Sequence, residues 1–71
     1  MKEFEILITS PPDRENLVAE IWQDDQMIAE INQEGGVLGL EIYATKEGTI
    51  KLKYNDFIEA LKKAKEKLIG K

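Results

Sequence analysis

The chain has no cysteine and no histidine. Without thiols it has no disulfide framework, no thiolate nucleophile and no cysteine-ligated metal. Without imidazole it lacks the usual general base near neutral pH and the commonest transition-metal ligand. No apolar run approaches the roughly 18 residues that a membrane-spanning helix needs. No glycine-rich phosphate loop occurs, since EGG and EGT are turn sequences, and no oxygen ligands recur at the spacing of a calcium loop. Met1 leads straight into the alternating KEFEILIT, which reads as the absence of a secretory leader. These absences predict a cytoplasmic protein that is not an enzyme, with no catalytic residues, no metal and no cofactor.

What is present is a chain of 71 residues, 42% hydrophobic, which reads as a single domain over 1–71 near the lower size limit for a self-sufficient core. The net charge is −4 and uneven. Residues 1–55 carry eleven acids against five bases, whereas residues 56–71 carry three acids and five lysines. An acidic body disfavours nucleic acid and favours a basic partner. The paired carboxylates, Asp24-Asp25 and Asp13 with Glu15, need a concave, water-poor cleft for acid–base work, and so short a chain has little room for one. Lys62, Lys63, Lys65 and Lys67 share their segment with Glu59 and Glu66, the composition of a solvated helix face.

Phe4, Ile6 and Ile8 alternate with Glu5, Leu7 and Thr9, the period of a strand. The two prolines of SPPDREN then break the pattern. A second strand is expected over 17–23. Asp24-Asp25 forms a tight turn, because Asp tolerates left-handed backbone angles. A third strand runs to about Gln33, Gly35-Gly36 turn the chain, and Val37–Thr45 is the fourth. Lys46-Glu47-Gly48 fits a three-residue loop with Gly48 left-handed. Thr49–Tyr54 is expected as a fifth strand.

Those loops set a register. Trp22 faces Met27, Glu20 faces Ala29 and Val18 faces Ile31. Ile31 faces Leu40 and Ala29 faces Ile42. Ile42 then faces Leu52, and Leu40 faces Tyr54. One face collects Val18, Trp22, Met27, Ala29, Ile31, Leu38, Leu40, Ile42, Ile50, Leu52 and Tyr54, with Glu20 as the single misfit. On the water side Lys53 faces Glu41 and Lys51 faces Tyr43. The segment DFIEALKKAKEKLIG places Phe57, Leu61, Ala64 and Leu68 on one stripe, with Asp56 and Glu59 as a capping box and Gly70 as C-cap. The predicted fold class is α+β: a five-stranded, mostly antiparallel β-meander with one C-terminal helix packed on one face, βββββα.

On this reading the reverse face is bare. Ile21 and Ile28 are opposed there and Tyr43 lies opposite Ile28. Gln23, Gln26, Glu30 and Glu41 form a polar rim. An apolar centre with a charged rim is the usual anatomy of an interface, so these seven residues are the predicted partner-binding site.

The stretch LVAEIWQDDQMIAEINQEGG, 20 of the 71 residues, resembles segments of small uncharacterised bacterial proteins of β-meander-plus-helix type. Some compact acidic proteins of that shape are immunity proteins, antitoxins or phage-encoded inhibitors. The resemblance carries no catalytic motif and implies a non-enzymatic bacterial binding protein. The expectation is a small acidic inhibitor that occludes a basic site on a partner protein such as a nuclease or toxin. The alternatives are a homodimer formed through the exposed sheet face and a nucleic-acid binder using the lysine-rich helix.

Overall fold

A computed structural model describes residues 4–43 and 48–70. The elements run β1 (Glu5–Thr9), β2 (Val18–Gln23), β3 (Gln26–Asn32), a single 3-10 turn (Glu34–Gly36), β4 (Gly39–Ile42) and α1 (Tyr54–Ile69). The strands form an antiparallel sheet in the order β1-β2-β3-β4, with α1 packed on one face. The architecture is therefore the α+β meander-plus-helix expected, with four strands rather than five among the described residues.

Asp24 and Asp25 have φ of 52° and 63°, and Gln23 pairs with Gln26 across them. Two consecutive left-handed residues make the turn whose twist matches that of the flanking strands. Trp22 faces Met27 as expected. The next step departs from expectation. Ile21 pairs with Ala29, so Ile28 is an extra residue with no opposite number. Such a bulge shifts the register by one residue and reverses the faces of one strand relative to the other. Below it, Glu20 faces Glu30 rather than Ala29, and Ala19 rather than Val18 faces Ile31. The Glu20 misfit disappears. Ala19 and Ile21 turn toward the helix, and Val18 and Glu20 turn away.

The second expected hairpin loop, Gly35-Gly36, opens into a longer one without losing register. Gly35 and Gly36, at φ of 67° and 77°, sit in the 3-10 turn, and the ladder resumes only at Asn32↔Gly39. Ile31 still faces Leu40, and Ala29 faces Ile42. The fifth strand does not form. Residues 49–53 are unassigned and Tyr54 opens the helix, so the pairings expected for Lys51, Leu52, Lys53 and Tyr54 are absent. The physical reason lies at the helix start. Phe57 N–H donates to the Lys53 carbonyl at 3.0 Å, which commits Lys53 and Tyr54 to the first helical turn. Gly48 is left-handed as expected, at φ 78°. The expectations for residues 44–47 lie outside the described residues.

The early start also moves the cap. Lys53 occupies it, with no side-chain cap hydrogen bond, and Asp56 lies in the first turn, where a carboxylate favours the helix dipole. At the other end Gly70, at φ 75°, donates its N–H to the Glu66 carbonyl. The core is Ala19, Ile21, Ile28, Ala29 and Ile31 of the sheet with Ala60 and Ala64 of α1, flanked by Phe4, Ile6, Leu52, Phe57, Leu61 and Leu68. The rings of Phe4 and Phe57 stand 5.7 Å apart and tilted, closing one end.

Candidate protein-interaction surface

The bulge decides the fate of the predicted site. Ile21 is fully buried and Ile28 is 4% exposed, both in the cluster packed under α1. They cannot form a bare apolar centre. Gln23 is half-buried beside the turn and Gln26 is exposed. Glu30, Glu41 and Tyr43 are brought together, but in a hydrogen-bonded network rather than as a rim.

That network covers the face away from the helix. Glu20, Glu30 and Glu41 lie in one row across β2, β3 and β4. Like charges directly opposite one another destabilise a sheet unless something stands between them. Here Arg14 does so, reaching in from the proline-bearing loop between β1 and β2. Its guanidinium lies 2.9 Å from Glu30 and 2.6 Å from Glu41. Asn32 donates to both carboxylates, at 3.0 and 2.6 Å, and the Tyr43 hydroxyl donates to Glu30 at 3.3 Å. Glu20 accepts from Thr9 at 3.2 Å and from the Trp22 indole at 3.0 Å. Glu30 is only 5% exposed, so this shell is what makes burying its charge tolerable. Gly39 makes room for it. A Cβ there would stand 3.0 Å from Asn32 Oδ1, tight enough to push the amide aside. Val18, also fully buried, lies on this face by strand alternation and is not part of the cluster under the helix. Nothing in single-residue patterning pointed to Arg14, whose partner lies 27 residues away.

The network perturbs two groups. Burial, and then the fields of Glu30 and Glu41, raise the Tyr43 pKa above its ordinary value. Burial alone would lower that of Arg14, but Glu30 and Glu41 outweigh it and the net shift is upward. The tyrosine makes a prediction. A raised folded-state pKa means that Tyr43 adds stability fully below about pH 10, the ordinary tyrosine value, and loses it as pH rises through the higher folded value. Unfolding midpoints in urea should fall above about pH 10, and Tyr43→Phe should flatten that alkaline decline while losing some stability at pH 7. An unchanged alkaline decline in Tyr43→Phe would place its cause elsewhere.

A contiguous apolar strip is left bare on the other side, along β4. Leu40 and Ile42 face Ile31 and Ala29 and so share the helix side, yet Leu38, Leu40 and Ile42 are 44%, 48% and 57% exposed. Leu38 and Leu40 border a groove of about 240 Å³, lined also by Ile31 and Gly39 of the sheet and by Leu61, Lys62 and Lys65 of α1. Sequence reasoning put these leucines and Ile42 on the correct face and assumed the helix covered them. The dimensions argue otherwise. Four strands at about 4.8 Å span roughly 19 Å, whereas one helix with its side chains is about 10–12 Å wide. One helix leaves part of such a sheet uncovered.

Compared with known protein families, with curated proteins and with solved structures, the chain matches none. Among the described residues, no helix is long and apolar enough to cross a membrane.

Proposed function

We propose that this chain is a small, non-catalytic protein-binding module of the cytoplasm that acts by occlusion, as an inhibitor of immunity or antitoxin type does. The observation that carries the docking surface is the strip Leu38, Leu40 and Ile42, three large apolar side chains in a row, left in water on the helix side of the sheet. Contiguous apolar surface beside a groove is where proteins bury partners. The inhibitor type itself rests on the resemblance of residues 17–36. A second reading keeps the reverse face. There two glutamates meet one arginine and Glu20 lies in the same row, a surplus of negative charge that suits a basic partner such as a nuclease or toxin.

Photo-cross-linking in the source cell separates the two. A benzophenone side chain replacing Ile42 should trap a discrete partner that the same group replacing Leu7, exposed on the acidic face opposite Glu20, does not. Leu40→Ser should abolish that cross-link while the protein stays folded. Trapping from position 7 alone would move the site to the acidic face. A cross-link indifferent to Leu40→Ser would dismiss the strip as the docking surface.

A further inference from the structure

The bare strip has the dimensions of a missing helix. α1 rests on β2 and β1 and only grazes β3. Packed helices keep their axes about 8–10 Å apart, and strands about 4.8 Å apart. Two strand spacings from β2 lead to β4, so a helix laid beside α1 sits directly over β4. Leu38 and Leu40 are then its floor, with Ile42 exposed further along the same face, and Leu61 is the wall it leans on. Resting on the strip as the docking surface, we propose that this seat receives an amphipathic helix from a partner protein, whose apolar stripe fills the groove and whose acidic flank meets Lys62 and Lys65.

The chemistry of the seat selects that occupant. A strand added at the free edge of β4 would set its side chains beside the strip and not above it, so the apolar surface would stay in water. A second copy inserting its own α1 would offer mainly Glu59, Lys62, Lys63, Lys65, Glu66 and Lys67; its two exposed apolar side chains, Tyr54 and Ile69, stand at opposite ends of the helix with no continuous stripe between them. The two rim lysines extend the groove wall with their alkyl stems and carry their ammonium groups at its lip. Among the described residues Lys62 pairs with Glu59, one turn back at 3.9 Å and exposed, a weak contact that a partner carboxylate displaces easily. Charge at the lip therefore calls for acid, against the sign of the whole molecule.

That opposition makes the test sharp. Two synthetic helical peptides of about 18 residues would share one leucine stripe, flanked by glutamates in one and by lysines in the other. At a net charge of −4 the protein attracts the lysine peptide at long range, so a preference for the glutamate peptide has to arise locally. Affinities for the intact chain would be measured by fluorescence anisotropy at 0.15 M salt, with methyl NMR locating the contact. The glutamate peptide should bind roughly tenfold more tightly, as two favourable exposed pairs imply. It should shift Leu38, Leu40, Ile42 and Leu61, and the double variant K62E/K65E should invert the preference without loss of fold. Equal binding of both peptides, or no effect of K62E/K65E, overturns the acidic flank. If neither peptide binds, the helix seat is overturned; a Leu40-dependent cross-link that persists would leave the docking reading standing. A dimer in sedimentation that Leu40→Ser dissociates would overturn the proposal by seating a second copy on the strip.

Discussion

Ile21→Ala is expected to lower the unfolding free energy by about 3 kcal/mol, and Ile42→Ala to change it by no more than about 0.5 kcal/mol. The two residues belong to one sheet, carry the same side chain and face the same side. They differ in cover. Ile21 is fully buried between β2 and α1, whereas more than half of Ile42 is in water. Truncating Ile21 removes three buried carbons and leaves a cavity in a core of few large side chains. A typical domain has about 5–15 kcal/mol in total, and one this small lies toward the low end, so the loss is a large fraction of it. At this size it corresponds to a fall in melting temperature of roughly 12–24 °C. Urea titration with Trp22 fluorescence reads both variants. An Ile42→Ala loss as large as that of Ile21→Ala would mean that the β4 strip is covered in solution, and that surface would cease to be a docking candidate.

That contrast reverses the assignment that periodicity alone provides, in which Ile21 is bare and Ile42 covered. The cause is one residue. Turn chemistry and the helical stripe are local, and much of what they set survived: the left-handed Asp24-Asp25, the Ile31↔Leu40 register, the Phe57-Leu61-Ala64-Leu68 stripe and the Gly70 cap. A bulge is not local. Whether Ile28 pairs or is skipped depends on which choice buries Ile21 and satisfies Glu20, and that requires β1 and α1 to be already in place. The expected pairing set Glu20 opposite Ala29 on the core side; the strain of that single misfit was the trace of the bulge in the sequence. Arg14 was invisible for a similar reason, since its role depends on a loop folding back across three strands. The fifth strand failed through competition. Residues 49–54 alternate well enough for a strand, but the helix gains its first turn by taking Lys53 and Tyr54.

Ala64→Leu is expected to be the most damaging conservative change on α1. Four alanines, Ala19, Ala29, Ala60 and Ala64, hold the helix close to the sheet, and Ala64 is fully buried among them. Leucine is nearly as good a helix former as alanine, so propensity contributes almost nothing to the difference. Three added carbons have no space, and overpacking of this kind costs about 1–3 kcal/mol. Lys63→Leu makes the control, because it adds apolar bulk one residue away on the exposed face and should stay within about 0.5 kcal/mol of the parent. The consequence reaches beyond stability. Any shift that relieves Ala64→Leu lifts α1 from the sheet, and Leu61, Lys62 and Lys65 move away from Ile31 and Leu40. The groove between them then loses its shape without a change in any residue that lines it. Binding of the glutamate-flanked peptide should weaken in Ala64→Leu even where the folded fraction is held equal, and should be unaffected in Lys63→Leu. Undiminished peptide binding in a measurably destabilised Ala64→Leu would show that the seat does not depend on how closely α1 approaches the sheet.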